Sequence, residues 1–245
     1  MNPLANIPPV VKNLLIINVI FYIAMMMFGA QEMTNLLGVH YFDSPDFRIW
    51  QVVTYMFMHS HQSLFHIMFN MFALYSFGTT LEYVMGSKRF LNFYLLTGLG
   101  ALALQMMVQG LEVYSVTGSF THNGLLVIDK VTGAMSYNPQ VLNPDQVAKL
   151  GGVYASTMVG ASGAVFGLLI AFVVLFPNVE LMIMFIPVPI KAKYIIPAYI
   201  LLELFLGVKQ AEGDSVAHFA HLGGALFGFI LVKLWGLRRN DRFYE

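Results

Sequence analysis

The sequence predicts an all-α integral membrane protein built as a bundle of six transmembrane helices. Of its 245 residues, 58% are hydrophobic and only 11% are charged, which leaves too little polar surface to cover a water-soluble domain. Apolar runs of about the length needed to cross a bilayer recur along the chain. Backbone polar groups in lipid must be satisfied within their own segment, so these runs are expected to be helices. A single membrane domain over residues 1–245 is the simplest organisation.

Six apolar runs define the predicted helices, in the order in which the chain presents them. They lie near residues 10–29, 64–84, 90–108, 162–176, 194–208 and 217–235. The first run has the features of a secretory signal, but the later runs favour a membrane anchor that needs no cleavage.

The fourth run is unusually short. Ser162 to Phe176 spans roughly 22 Å at about 1.5 Å per residue, less than the roughly 30 Å hydrocarbon core. If Pro177 ends this helix at one surface, Ser162 lies within the membrane beside non-helical backbone. Such backbone is tolerated only where protein buries it or where it lines a water-filled cavity, so an aqueous pocket is predicted there.

Lysine and arginine are distributed unevenly between the loops. With the N-terminus inside, nine basic residues lie inside and four outside, which predicts that both termini are cytoplasmic. The inside residues are Lys12, Lys88, Arg89, Lys191, Lys193, Lys233, Arg238, Arg239 and Arg242, and the outside residues are Arg48, Lys130, Lys149 and Lys209. Thirteen basic residues balance thirteen acidic ones over the whole chain, so nucleic acid is not an expected partner.

Two polar stretches are predicted on the outer side, residues 30–63 and a longer insertion at about 109–158. The second contains glycine, asparagine and proline turn signals between short apolar pieces such as Leu125 to Ile128. Three roles stay open for it: a lid, a substrate-contacting loop or a tolerated insertion.

The first chemical candidate is Ser162, in Gly160-Ala161-Ser162-Gly163. Small neighbours would let a substrate backbone approach the hydroxyl, and the positive end of the helix would favour a developing oxyanion. A structural alternative is an N-cap or packing serine, because Gly163 and Gly167 form a G-x-x-x-G pair.

The second candidate is His221, at the start of the last run. On a helix, Ala217, His221, Gly224 and Gly228 fall on one narrow face, which places a histidine on a close-packing surface. Ionisable residues within a membrane segment are costly and usually functional, and histidine can accept a serine proton near neutral pH. The alternative is a core histidine bonded to a backbone carbonyl.

The third candidate is the pair His66 and Asn70. The two residues are four apart and share a helix face, so their side-chain donors could converge as an oxyanion hole requires. A hydrogen-bonded pair that holds two helices together is the alternative.

Together these motifs resemble those of rhomboid intramembrane proteases, and they extend over nearly the whole chain. They are Trp50 through His59 before the histidine and asparagine helix, Gly78-Thr79-Thr80-Leu81-Glu82, Gly160-Ala161-Ser162-Gly163, and Ala220-His221-Leu222-Gly223-Gly224. The resemblance implies a rhomboid-like six-helix bundle with an active site that opens outward. It also implies a serine and histidine dyad without a third, acidic member.

The resemblance assigns roles to matching positions. Ser162 would be the nucleophile and His221 the general base and then acid, with oxyanion donors at His66, Asn70 and the Ser162 backbone N–H. Phe166 would pack on the histidine ring, and the supporting glycines would be Gly160, Gly163 and Gly224. Expected partners are the lipid bilayer and transmembrane protein substrates, in a bacterial inner (cytoplasmic) membrane. The resemblance does not decide whether His59 or His61 matches the first histidine of the family, and it assigns no role to His218.

Two other functions compete with this interpretation. A catalytically inactive rhomboid-like binder of membrane proteins would typically lack the serine or the histidine, and this chain has both. A membrane metalloprotein could use the histidines, but the sequence contains no H-E-x-x-H motif and no cysteine to supply a thiolate. No metal or other cofactor is therefore expected. The five histidines concerned are His59, His61, His66, His218 and His221.

Overall fold

The computed structural model describes residues 7–128, 135–183, 186–209 and 217–238. Within these ranges the chain is mostly helical, as the sequence predicts. The described helices are α1 (Pro9–Phe28), α2 (Ala30–Leu37), α3 (Gln51–Thr54), α4 (Leu64–Ala73), α5 (Thr79–Met85), α6 (Ser87–Thr117), α7 (Pro144–Ala155), α8 (Ser162–Leu175), α9 (Ala192–Lys209) and α10 (His218–Leu234). Three residues counted for orientation, Lys130, Arg239 and Arg242, lie outside the described residues.

Three described segments are long and apolar enough to cross a membrane. They are Pro9–Phe28, Leu64–Met85 and Ser87–Thr117, and α8 and α10 are shorter apolar helices. The second segment joins α4 to α5 through a π-helical turn at Leu74–Gly78. The described structure therefore supports three spans by length and composition, fewer than the six that the apolar runs predict.

A buried carboxylate ties α1 to α5. Glu82 accepts hydrogen bonds from the Val10 and Val11 backbone N–H groups at 3.0 and 2.8 Å, and from the Ser87 hydroxyl at 2.6 Å. The first N–H groups of a helix have no partner within the helix, so this carboxylate satisfies two of them. Glu82 therefore has a structural role at this end of the bundle.

The predicted insertion at 109–158 is more ordered than its turn signals suggest. Helix α6 continues to Thr117, past the predicted end at residue 108. A hairpin then pairs β1 (Leu126–Ile128) with β2 (Met135–Tyr137), and α7 begins with a capping box between Asn143 and Gln146. These parts share an apolar cluster that includes Val113, Leu126, Leu150, Tyr154 and, from the preceding loop, Tyr41. We call the described residues of 109–158, together with this cluster, the outer lobe, after the side that the sequence predicts for them.

Helix α8 lies at the centre of the bundle, since ten of its 14 residues are buried. It packs against α6 and α10 through glycines: a Cβ on Gly228 would lie 2.7 Å from the Gly167 Cα, and one on Gly224 would overlap the Gly163 carbonyl. After α8, β3 (Glu180–Ile183) pairs with β4 (Ile186–Lys191) in a bulged antiparallel hairpin. The two short hairpins are the departure from an all-α fold, and both lie in connections between helices.

Candidate active site

Ser162 is the first residue of α8, and the backbone before it is held in a fixed path. Met158 and Val39 exchange two hydrogen bonds, at 3.0 and 2.9 Å, and the Gly160 N–H donates to the Tyr55 carbonyl at 2.9 Å. Gly160 has a φ of 133°, a conformation that side chains rarely permit. This path brings the extended backbone into the helix with the Ser162 hydroxyl facing α10.

His221, on α10, faces Ser162 across the glycine contact between the two helices. The Ser162 Oγ and His221 Nε2 atoms are 2.8 Å apart, a hydrogen-bond distance. Gly224, one turn later, lies directly against the Gly163 backbone, so neither helix can move away without opening this contact. The two sequence candidates, 59 residues apart, are therefore brought together.

The imidazole of His221 is held from one face by an aromatic ring. Phe166 stacks on it with ring centroids 4.4 Å apart and an angle of 6° between the planes. Tyr199 of α9 packs on Phe166 in turn, at 5.1 Å between centroids. These contacts restrict rotation of the imidazole.

His66 approaches Ser162 from the other side. Its Nδ1 accepts the Ser60 backbone N–H at 3.1 Å, so the neutral ring carries its proton on Nε2. A Cβ added to Gly160 would lie 3.1 Å from this Nε2 and 3.4 Å from the Ser162 Oγ. The missing side chain at Gly160 thus leaves a small space between an N–H donor and the serine oxygen.

Asn70 is placed differently from His66. Its Nδ2 donates to the His66 carbonyl of its own helix at 2.8 Å. Among the described residues, no hydrogen bond joins Asn70 to Ser162. The structure therefore brings the His66 ring close to Ser162, whereas one Asn70 N–H is used within α4.

Glu203 of α9 completes the cluster; the sequence marks it as a carboxylate within an apolar run, a candidate for function, but gives it no specific role. Its Oε2 accepts hydrogen bonds from the Nδ1 atoms of His218 and His221, at 2.6 and 2.8 Å. The carboxylate is 4% exposed. The family resemblance implies no acidic partner for His221, whereas in the structure the Glu203 carboxylate accepts a hydrogen bond from His221. Its position as a single carboxylate within the apolar run at 194–208 is the signal that the sequence offers, and that signal does not name its partner.

Glu203, His218 and His221 also have the residue types and the proximity of a metal site, with ligand atoms within 4.8 Å of one another. Two nitrogen or oxygen ligands of one tetrahedral zinc are about 3.3 Å apart, given bond lengths of about 2.0–2.1 Å. The carboxylate and imidazole atoms here are 2.6 and 2.8 Å apart, closer than two zinc ligands. The arrangement fits direct hydrogen bonds between the three side chains.

The remaining candidate histidines, His59 and His61, differ in their burial. His59 is buried, and its ring lies 5.3 Å from that of His66 in an edge-on contact, whereas His61 is exposed. Of the two, His59 is therefore the one that packs against the site.

Comparison with known proteins decides the family. The Rhomboid domain model matches residues 46–238, which cover most of the chain and every residue of the cluster described above. The chain belongs to the rhomboid family. This agrees with the resemblance found in the sequence motifs.

Curated rhomboid relatives match at moderate identity. An uncharacterised mitochondrial rhomboid protein of Schizosaccharomyces pombe is 29% identical over 209 residues, 78% of this chain and 53% of the relative. The mitochondrial RHOMBOID-like protein 12 of Arabidopsis thaliana is 28% identical over 240 residues, 96% of this chain and 60% of the relative. The mitochondrial presenilin-associated rhomboid-like protein of Rattus norvegicus is 30% identical over 173 residues, 69% of this chain and 34% of the relative. This rhomboid chain thus spans about half the length of the relatives it matches.

These relatives correct the predicted location. All three are mitochondrial proteins, which contradicts the prediction of a bacterial inner membrane and points to a mitochondrial membrane instead. The cytoplasmic assignment of the two chain ends depended on that membrane and is withdrawn with it. The physical reason for the error is that hydropathy and basic-residue asymmetry identify a bilayer and an orientation, but not the organelle that contains the bilayer.

Proposed function

We propose that this rhomboid is an intramembrane serine endopeptidase that cleaves transmembrane segments of other proteins, with Ser162 as nucleophile and His221 as general base. The observation that carries the proposal is the 2.8 Å contact between the Ser162 Oγ and the His221 Nε2. A base within hydrogen-bond reach of a serine hydroxyl is the arrangement that activates a nucleophile.

The proposed reaction has two stages. The Ser162 Oγ bonds to the scissile carbonyl carbon while its proton passes to the His221 Nε2, and the carbonyl electrons move onto oxygen. The intermediate then collapses, the C–N bond breaks, and the Nε2 proton passes to the leaving amine. Water, activated by the same nitrogen, hydrolyses the resulting ester and regenerates the serine.

The oxyanion formed in this reaction needs donors already in place. The Ser162 backbone N–H belongs to the first turn of α8, where N–H groups have no partner within the helix. The Nε2–H of His66 faces the same space beside Gly160. We propose these two groups as the main donors, and Asn70 as a weaker contributor because one of its N–H groups is engaged.

We propose that the whole chain forms one six-span membrane domain, with the outer lobe above the site. Helix α8 is about 21 Å long, so a helix that ends at one face of the bilayer begins below the other. The proposed substrates are membrane proteins whose segments unwind near that face. The mitochondrial relatives support a mitochondrial membrane as the place of action.

Reconstitution with a labelled transmembrane substrate tests the proposal. Ser162→Ala is expected to reduce cleavage to background, because among the described residues no other hydroxyl forms a hydrogen bond with the His221 Nε2. A fluorophosphonate should label the natural chain at Ser162 only. The matched control is Ser156→Ala, which removes a hydroxyl bonded to Gln109 and Val153 at the end of α7 and should retain cleavage.

Substantial cleavage by Ser162→Ala would contradict the assignment. A natural chain that binds the substrate, resists the fluorophosphonate and never cleaves would instead indicate an inactive rhomboid-like binder.

A further inference from the structure

The cluster around His221 contains more than the proposed dyad needs. His221 uses Nε2 for Ser162 and Nδ1 for Glu203, at 2.8 Å in both cases. Both ring nitrogens of the base are therefore engaged, one by the nucleophile and one by a carboxylate. A buried carboxylate on the far nitrogen of a base is the third element of a catalytic triad.

The fold holds Glu203 in place from several directions. It lies on α9, and Gly207, one turn later, lets α10 approach closely: a Cβ there would lie 3.0 Å from the His218 Cβ. His218 donates to the same carboxylate oxygen at 2.6 Å, and Tyr199, one turn earlier on α9, packs on the Phe166 ring that stacks on His221. A carboxylate that hydrogen-bonds two histidines has little freedom to leave His221.

The carboxylate constrains the chemistry of His221. An acceptor on Nδ1 requires the ring proton there, which leaves the Nε2 lone pair free to take the serine proton. The negative charge also stabilises the imidazolium that forms during the proton transfer. Without it, the neutral ring can carry its proton on Nε2, where it cannot act as a base toward Ser162.

We propose that Glu203 is a positioning residue that sets the tautomer of His221, so that this rhomboid operates with a Ser162, His221 and Glu203 triad. This inference rests on the proposed serine protease function and refines it. It departs from the dyad that the family resemblance implies. His218 then serves to hold the carboxylate, without contacting the reacting atoms.

Two substitutions at one position test the inference. Glu203→Gln keeps the size of the side chain but can present its amide N–H₂ to Nδ1, which favours the wrong tautomer. We expect kcat to fall on the order of 10²-fold or more, with KM nearly unchanged. The rate of fluorophosphonate labelling of Ser162 should fall in parallel. Glu203→Asp keeps the charge at the end of a shorter side chain, so partial recovery of kcat is expected.

A spectroscopic readout separates positioning from folding. In protein labelled with ¹⁵N-histidine, the natural chain should show His221 protonated on Nδ1, and Glu203→Gln should shift this signal to the Nε2-protonated form. The resonance is assigned by its absence in His221→Asn. The matched control is Glu82→Gln, which neutralises the buried carboxylate bound to the N-terminus of α1. It should lower thermal stability while the kcat of the folded fraction stays at the natural value.

Each outcome has a distinct meaning. Natural kcat and an unchanged tautomer in Glu203→Gln would overturn the inference, and if Ser162→Ala still abolished cleavage the proposed protease function would stand. Cleavage that persists in Ser162→Ala would overturn both. Activity that is lost with phenanthroline and restored by zinc would make the three side chains a metal site, which would also overturn the positioning role.

Discussion

At the scale of single residues, His66 and Asn70 show how a shared helix face can still give unequal donors. The spacing of four residues places both side chains on one side of α4. Asparagine, however, can bond the carbonyl four residues earlier in its own helix, and Asn70 does so. His66 is kept from such a bond because its Nδ1 accepts from Ser60 and its Nε2 faces Gly160.

We therefore expect the two alanine substitutions to differ in their effect. His66→Ala should lower kcat by about 10²- to 10³-fold, the usual loss of one oxyanion donor, or about 3–4 kcal/mol. Asn70→Ala should lower kcat by less, because its engaged N–H contributes little to the oxyanion. Turnover of a transmembrane substrate in proteoliposomes measures both.

The control for this pair is His61→Ala, which removes an exposed histidine from the same loop and should keep natural turnover. Equal losses in His66→Ala and Asn70→Ala would show that Asn70 leaves its helix carbonyl to meet the oxyanion.

At the scale of helices, the contact between α8 and α10 sets the distance between Ser162 and His221, the proposed nucleophile and base. Gly163 meets Gly224, and Gly167 meets Gly228, with backbone against backbone. Small residues permit such approach between membrane helices. The serine begins the first of these helices and the histidine lies one turn before Gly224 on the second, so helix separation and hydrogen-bond length are coupled.

Gly224→Ala is therefore expected to separate the two helices and break the contact between Ser162 and His221. The added methyl group would overlap the Gly163 carbonyl, and overpacking of this kind costs about 1–3 kcal/mol. Cleavage should fall to near background, and the melting temperature should fall in a thermal scan in detergent.

Gly152→Ala supplies the matched control, since a Cβ at this helical position in α7 meets nothing within 4 Å. It should retain cleavage and gain about 0.5–1 kcal/mol of stability. Full activity in Gly224→Ala would mean that the helix spacing does not govern the site.

The sequence predicted helices better than it predicted their connections. The apolar runs predicted both ends of α1, α8 and α10 to within one or two residues. In lipid a helix is expected to begin and end where its apolar run begins and ends. Helix α6 extends beyond the end of its apolar run at residue 108 because its last turns belong to the outer lobe. Helix α7 has only a modest apolar face, and its capping box lay within a stretch interpreted as turns.

The site was predictable where chemistry is tied to a motif and less so where it depends on packing. Ser162, His221 and His66 stand in recognisable motifs, and the fold brings their side chains together. The contact of Glu203 with His221 depends on how α9 packs beside α10. A local sequence motif does not predict that packing. The hydrogen bond from the Asn70 amide to the His66 carbonyl depends on the rotamer of the asparagine side chain, and residue spacing does not determine that rotamer.

At the scale of the whole molecule, the outer lobe is joined to the loop that precedes the second membrane segment. The Tyr154 hydroxyl donates to Asp43 at 2.6 Å, and the His122 backbone N–H donates to the same carboxylate oxygen at 2.9 Å. The Tyr41 hydroxyl donates to the Phe120 carbonyl at 2.8 Å. The described parts of the insertion are thus packed against the rest of the structure.

This packing predicts a loss of stability at alkaline pH. Burial, with the nearby Asp43 charge, raises the pKa of Tyr41 to about 12, and the same causes raise the pKa of Tyr154. A phenol whose pKa is higher when folded stabilises the fold below its ordinary pKa of about 10 and loses that contribution as pH rises. The melting temperature of the purified protein in detergent should therefore fall between about pH 10 and about pH 12.

Tyr154→Phe should weaken this pH dependence, because its ring cannot ionise, although the lobe also loses one hydrogen bond at every pH. Tyr137→Phe changes an exposed tyrosine of the same lobe and should leave the profile unchanged. A melting temperature that stays constant to about pH 12 would show that neither buried phenol stabilises the lobe.

The placement of Glu203 on α9 links the cluster to the surrounding lipid. Its histidine partners lie on α10, while another face of α9 exposes large apolar side chains, among them Leu201, Leu202 and Phe205. If α9 crosses the bilayer, as the proposed six-span domain requires, these side chains contact lipid tails, and a change of bilayer thickness tilts the helix. A tilt of α9 moves the carboxylate relative to His221. For the proposed protease, the acyl-chain length of the host membrane would then be a reaction condition, as buffer composition is for a hydrolase in water.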